Sequence, residues 1–375
     1  MRTMGVEEEY LLVTPEGRPT AVAPTVLWHA AREGAAGPDG PDAGVEPGGE
    51  PGGELEKEFK REQVETSTHP RTDLGELLDE IRAGRERTSA FARLAGAEIA
   101  ALGTAPQEVE STVVPDKRAQ EIRARFAMTA KDQLTCGCHV HVEVADDEEG
   151  VVVLDHMRRW TPVLLALSAN SPAWQGGHSG YASYRSQVWG RWPTAGATAP
   201  FGDAAGYHRV IEDLLATETI LDDGMIYFDA RLSARYPTVE VRVADVCLDA
   251  ADAALQAALV RGLAETAVRG DADLPQPRAE LLRAATWRAA HSGLSGDLVG
   301  PTTGVPAPAA DVVAELLSHV SKALADSGDL EWVQRHVATV LRRGNGAIQQ
   351  QAWRAEGADD DEVVRRAVAR TISPH

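Results

Sequence analysis

Cysteine is scarce in this chain: Cys136, Cys138 and Cys247 are the three among 375 residues. Three cannot build a disulfide framework, and they lack the partners of a four-ligand zinc knot. Long apolar runs are missing too. No stretch reaches the about 18 uninterrupted apolar residues of a membrane span, and the opening MRTMGVEEEYLLV lacks a secretory core. A cytoplasmic protein with no membrane partner is therefore expected. Positive charge is in deficit, with 37 Lys and Arg against 57 Asp and Glu, a formal net charge of −20. Such a surface repels phosphate backbones, so no nucleic-acid partner is expected. A small anion can still bind where divalent metals neutralise part of the carboxylates. The glycine-rich turns GxGxxG and GxxxxGK[ST] are absent as well.

What is present is the composition of a globular protein, 43% hydrophobic and 25% charged. Residues 34–54 are dense in Gly, Pro, Asp and Glu, the make-up of a mobile loop. Because strong element signals stand on both sides, one folded unit spanning residues 1–375 is expected, with that loop interrupting it. Asp73 and Glu76 have capping-box spacing, followed by Leu74, Leu77, Leu78 and Ile81 at helical intervals. Tyr207, Val210, Ile211, Leu214 and Leu215 mark another helix, capped by Asp203. Residues 249–269 are alanine-rich and helical. From Ala309 onward helices break at Ser327–Gly328 and at 344–346, with a last one near Asp359, so the C-terminal third is mainly helix.

Three segments alternate with the strand period of two. Glu7 and Glu9 oppose Val6, Tyr10 and Leu12; His139, His141 and Glu143 oppose Val140, Val142 and Val144; Glu240 and Arg242 oppose Val239, Val241 and Val243. Each has a packing face and an ionisable face. Irregular alternation with helices suggests an α+β fold with a largely antiparallel sheet.

Glu7, Glu9, Glu58, Glu65 and Glu240 with His139 would make an oxygen-rich set suited to Mg²⁺ or Mn²⁺. Alternation by itself describes a solvated sheet face equally well. Glu58 and Glu65 are seven apart, opposite in parity, so a turn must intervene if both face one site. Glu240 and Arg242 read equally as a structural ion pair. Parity puts Cys136 and Cys138 on the valine side as small buried hydrophobes. Residues 168–196, rich in Ser, Gly, aromatics and Arg, fit a substrate lid carrying Arg185 as a bidentate fork, or an ordinary packed loop.

The segments GVEEEYLLV, EFKREQVETST, GCHVHVEV, LLALSANSPAWQGGHSGYASYR, RWPTAG and TVEVRVADVCLDAADAALQAALVRGL, spread from Met4 to Leu263, resemble the carboxylate-amine ligases of the bacterial glutamate-cysteine ligase type 2 group. The resemblance implies a glutamine synthetase-like catalytic fold, a curved antiparallel sheet with helices packed on one side. It implies ATP-dependent formation of a γ-glutamyl amide from glutamate and an amino-acid acceptor, cysteine by default. It makes Glu7, Glu9, Glu58, Glu65, His139 and Glu240 metal ligands, His141 an ATP contact, and Arg242 and Arg185 the catalytic guanidinium groups on phosphate or substrate carboxylate. Tyr181 follows as a substrate contact. His291 and GNGAIQQQ stand where that pattern leads one to expect arginine. No general base is evident; Glu8 and Glu143 are the adjacent carboxylates. A non-proteinogenic acceptor, a metal-dependent amide hydrolase and a non-catalytic metabolite binder are the rival readings, and a homo-oligomer is compatible with the sequence.

Overall fold

The computed structural model describes residues 1–35, 52–270 and 276–373. Most of the expected 34–54 loop lies outside the described residues, and its last residue, Glu54, already opens a strand. The described strands are β1 (Met4–Val13), β2 (Glu54–Lys57), β3 (Gln63–Ser67), β4 (Glu98–Ala100), β5 (Gly137–Glu143), β6 (Ala173–Trp174), β7 (Gly177–His178), β8 (Ala230–Leu232), β9 (Thr238–Asp245), β10 (Asp297–Val299) and β11 (Pro306–Pro308), the last two paired with each other. Seven of them form one sheet in the order β2-β3-β1-β5-β9-β8, with β4 beside β1, and every pairing is antiparallel. β6 and β7 make a separate hairpin.

The valine face of this sheet is the core. Val6, Val140, Val142, Val239 and Val241 pack with Leu77 and Ile81 of the helix Leu74–Leu94, with Leu154 of Asp147–Met157, and with the alanine-rich helix Ala250–Arg269. Small residues such as Ala253, Ala257 and Ala264 let that helix lie close to the strands. The caps follow the sequence: Asp73 accepts from Glu76 N, Asp203 from Gly206 N, Asp249 from Ala251 N and Asp359 from Glu362 N. Helices Ala309–Ser327, Leu330–Arg343, Gly346–Ala355 and Asp360–Thr371 break where Gly and Asn predict. This is the expected α+β architecture with helices on one face of an antiparallel sheet. No described helix is long and apolar enough to cross a membrane.

Glu8 is a carboxylate on the wrong face for chemistry. It sits on the valine side, buried, and takes Arg85 as a fork: Nη2 to Oε1 at 2.6 Å and Nε to Oε2 at 2.9 Å, with Tyr10 donating its hydroxyl at 2.7 Å. The same guanidinium donates to the carbonyls of Cys247, Leu248 and Thr371. One buried pair thus ties β1, the helix Leu74–Leu94, the chain after β9 and the C-terminal helix together. This removes Glu8 as a general base, because both its oxygens are spent on the fold.

Removing one member of a buried pair strands the other charge, at a cost of about 3–5 kcal/mol. Arg85→Met is expected to lose about that much stability, and adding Glu8→Gln should restore part of it. Urea unfolding of the two variants decides: equal midpoints would mean that the charge on Glu8 has no bearing on the loss.

Candidate active site

The register brings the ionisable residues of neighbouring strands side by side. Glu7 lies opposite His139, Glu9 opposite Glu65, Glu56 opposite Glu65, His141 opposite Glu240, and Glu240 opposite Arg231. All of them therefore share the face away from the valine core. The parity problem of Glu58 and Glu65 is solved by a hairpin: the chain leaves β2 after Lys57, turns, and re-enters as β3 at Gln63. Glu58 stands on the turn side and still reaches Glu65.

Three overlapping donor groups result, Glu7 with Glu65 and His139, Glu7 with His141 and Glu240, and Glu9 with Glu58 and Glu65, each with ligand atoms within 4.8 Å of one another. Glu7 is the hinge between the first two, its Oε2 at 3.2 Å from His139 Nδ1 and its Oε1 at 3.2 Å from His141 Nε2. Glu9 Oε1 lies 3.6 Å from His139 Nε2, and its Oε2 accepts from Gly137 N at 2.6 Å. His141 is held from behind by Thr238 Oγ1, 2.9 Å from Nδ1. Such a face is costly in empty form. Burial, with Glu58 and Glu7 close by, pushes the Glu65 carboxyl well above its ordinary range, and burial with Glu58 raises Glu9. Burial also opposes the charges of Glu7 and Glu240. The histidines outweigh it at Glu7, and Arg242, Arg231 and His141 outweigh it at Glu240, so both carboxyls stay low.

The donor set fits hard divalent cations. Carboxylates dominate, mutual repulsion at Glu9, Glu58 and Glu65 is what a cation would relieve, and His139 Nε2 and His141 Nε2 are buried without a hydrogen bond. Glu7 keeps a quarter of its side chain exposed, so the cluster is open to a ligand.

Guanidinium groups close one end. Arg242 pairs with Glu240, and Arg231 Nε bonds the other oxygen of Glu240 at 2.6 Å. Arg185 begins the short helix Arg185–Trp189 and lies near Glu9; it is 2% exposed, so it is no solvent-facing fork of a lid. The indole of Trp189 lies 5.8 Å from both Arg185 and Arg242, within cation–π reach. Gly137 makes this convergence possible, since a Cβ there would fall 2.2 Å from Arg185 Nη2 and 2.9 Å from His139 Nε2.

Some residues stay apart. Tyr181 packs with Tyr184, Trp287 and His291, at 5.7, 6.2 and 5.3 Å between rings, and accepts from Trp287 Nε1. Its partners are aromatic, none of them a member of the carboxylate groups. His291 stacks on Trp287 at the end of the helix Ala279–Ser292. Glu143 is exposed and accepts from Thr3, so neither carboxylate proposed as a base joins the cluster. Cys136 and Cys138 are buried, as parity requires. Glu56, Arg231, Thr238 and Asp245 were missed by sequence reasoning. Glu56 shares parity with Glu58, and Thr238 with Glu240, so both could have been found by extending it; Arg231, on the separate strand β8, and Asp245 could not.

The model of glutamate-cysteine ligase family 2 matches residues 3–370. The chain belongs to that family. The family match also runs through the helical third, beyond Leu263. A protein of Streptomyces avermitilis named "Putative glutamate–cysteine ligase 2-1" is 49% identical over 368 residues, 97% of this chain and 98% of that one. One of Streptomyces coelicolor, "Putative glutamate–cysteine ligase 2", is 48% identical over 375 residues, 99% of each chain. Membership makes the protein a carboxylate-amine ligase by enzyme class. Among solved structures, glutamate–cysteine ligase of Francisella tularensis in complex with AMP aligns with TM-score 0.66 at 15% identity, over 99% of this chain and 89% of that one. The bifunctional glutathione synthetase of Pasteurella multocida aligns with TM-score 0.69 at 16% identity over 99% of this chain. This chain spans about half of that protein, 52% of its length. The fold is that of the glutamine synthetase-like ligases.

Two outcomes test the site's electrostatics and sterics. Burial beside Glu7 pushes Glu56 up to about 7 from 4.5. A folded-state pKa above the unfolded one means that the folded form binds the extra proton, so metal-free protein should lose stability as pH rises from 4.5 through about 7. Thermal melts across that window should fall more gently for Glu56→Gln; an unchanged slope would remove Glu56 as a contributor. Separately, Gly137→Ala should cut turnover about 100-fold, the scale of a misplacement near 1 Å. Its far-ultraviolet circular dichroism should stay native, and undiminished turnover would show that Arg185 and His139 need no such approach.

Proposed function

We propose that the chain, as one catalytic domain, joins the γ-carboxylate of L-glutamate to the amine of an amino acid through a γ-glutamyl phosphate, consuming ATP in the cytoplasm. The observation that carries this reading is the set of three overlapping acidic groups on one sheet face, flanked by guanidinium groups. L-Cysteine is the default acceptor by family, and a non-proteinogenic amino acid is the alternative within the same chemistry.

A carboxylate is a poor electrophile until phosphorylated, and phosphoryl transfer is catalysed mostly by positioning and by charge stabilisation. Magnesium or manganese, held by Glu7, Glu9, Glu58, Glu65, His139 and Glu240, would neutralise phosphate oxygens and so let an acidic protein bind ATP. His141, anchored by Thr238, contacts the nucleotide. Arg242 and Arg185 hold the transferring phosphoryl group and the substrate carboxylate as fixed, planar donors. Trp189 beside both guanidinium groups limits their motion and excludes water. No serine or cysteine nucleophile is required. A metal-dependent amide hydrolase draws no support here, because among the described residues only His139 and His141 join the carboxylate groups.

Mixing the protein with glutamate, ATP, Mg²⁺ and a panel of amino acids should give ADP and a γ-glutamyl product detectable by mass spectrometry. Absence of ADP with every acceptor would sink the ligase, and amide cleavage without ATP would favour the hydrolase. Glu65→Gln keeps the side chain's shape and removes a repelled charge. It should raise the melting temperature of metal-free protein, shrink the increase on adding Mg²⁺, and abolish ADP release. A Mg²⁺ shift equal to that of the wild type would exclude Glu65 as a ligand.

A further inference from the structure

The strand β9 carries an irregularity that changes everything beyond it. Cys138 pairs with Ala244 and Val140 with Val241, so Arg242 and Val243 together stand opposite His139. An extra residue in one strand reverses the parity of those that follow. By plain alternation Asp245 belongs with Val241 and Val243 on the core face. In the structure it lies opposite Gly137, at the ionised end of the site, and is fully buried.

Its carboxylate accepts from Asn170 N at 2.8 Å, from Ser171 Oγ at 2.7 Å and from Ser183 Oγ at 2.8 Å. Among the described residues the cation against it is Arg185, Nη1 to Oδ1 at 3.8 Å. That guanidinium in turn donates to the carbonyls of Val243 and Arg242, the two residues of the bulge, at 3.4 and 3.2 Å. Ser171 Oγ also accepts from Arg185 N at 3.0 Å, so the same hydroxyl serves the backbone of Arg185 and the carboxylate that faces its side chain. The same Nη2 that bonds the Arg242 carbonyl lies over Gly137, beside His139, and Nε is buried without a hydrogen bond. A buried carboxylate is expensive unless it is paired and hydrogen-bonded. Here it has both, and the pair is aimed at a site residue.

We propose that Asp245 is the positioning residue of Arg185, holding its guanidinium against the bulge at the Gly137 end of the site, where it binds the carboxylate of the amino-acid substrate. The choice of substrate rests on the ligase reading above. Arg185 stands at Gly137, four residues and about 13 Å along β5 from His141, the nucleotide contact of that reading, at roughly 3.3 Å per residue.

The test separates position from fold. Asp245→Asn keeps shape and removes the charge that pairs with Arg185, while Ser183→Ala removes one donor and keeps that charge. Glutamate binding is measured by equilibrium dialysis with Mg²⁺ and a non-hydrolysable ATP analogue, together with kcat and KM. For Asp245→Asn we expect glutamate kcat/KM to fall about 100-fold, with KM for ATP within about twofold, and for Ser183→Ala near-native values of both. Asp245→Asn combined with Arg185→Lys should be no worse than the poorer single variant. Equal loss of glutamate and ATP affinity, or additive losses in the double variant, would overturn the proposal. Urea-unfolding free energies of the wild type, Asp245→Asn, Arg185→Lys and the double variant give the Asp245–Arg185 coupling with no substrate present, and zero coupling there would also overturn it. If the wild type bound no glutamate while that coupling was intact, the substrate reading would fall and the positioning of Arg185 would stand.

Discussion

Everything in this molecule answers to one electrostatic constraint: carboxylates that repel one another must be held on a single sheet face within a few ångströms. Two like charges 4 Å apart cost about 4 kcal/mol where the effective dielectric constant is near 20. A flexible surface would splay them apart. The sheet prevents this because Glu7, Glu9, Glu65 and Glu240 are fixed through the backbone register, and the opposite face of the same strands is locked by Val140, Val142, Val239 and Val241 against helices. Apolar burial on one side thus sustains charge repulsion on the other. The residues that soften the repulsion are distributed unevenly. His139, His141, Arg231 and Arg242 serve Glu7 and Glu240, leaving Glu9, Glu58 and Glu65 as the group most in need of a cation.

How much of this can be read from the chain depends on whether a feature obeys the period of two. The faces of β1 and β5 follow parity throughout, and so does the part of β9 before its bulge, which is why the ligand-type residues are legible without a structure. Parity also places Glu8 with Val6 and Tyr10; its role with Arg85 follows from the rule that a buried carboxylate needs a partner, although which arginine answers from 77 residues away is a tertiary fact. The hairpin that unites Glu58 with Glu65 is implied by their odd spacing and located only by the fold. Asp245 is the opposite case. One inserted residue carries it across the sheet, and alternation alone holds no trace of that step.

The 168–196 segment shows the limit of composition as a guide. Ser, Gly, Arg and aromatic residues fit a substrate lid or an ordinary packed loop alike; in the fold Ser171, Ser183 and Arg185 are buried, and their polarity serves Asp245. Of its aromatic residues, Trp189 lies beside the guanidinium groups, whereas Tyr181 packs with Tyr184, Trp287 and His291. Polar residues in a loop mark solvent only when no buried charge is waiting for donors.

The helical third acquires a purpose in the same terms. Its GNG segment reads in sequence as a late motif short of an arginine, but in the fold it packs directly on the loop that carries the site. A Cβ on Gly346 would fall 2.0 Å from Asn170 Oδ1. Gln350 Nε2 donates to that same oxygen at 2.7 Å, and Asn345 Nδ2 donates to Ala166 O at 2.8 Å. Asn170 then donates its own amide to Asp245, which faces Arg185. A continuous series of short contacts therefore runs from the helix Gly346–Ala355 to a guanidinium at the sheet's ionised end, every polar member of it buried. The helix Gly346–Ala355 thus adds its hydrogen bonds to a loop that also bonds Asp245 of β9.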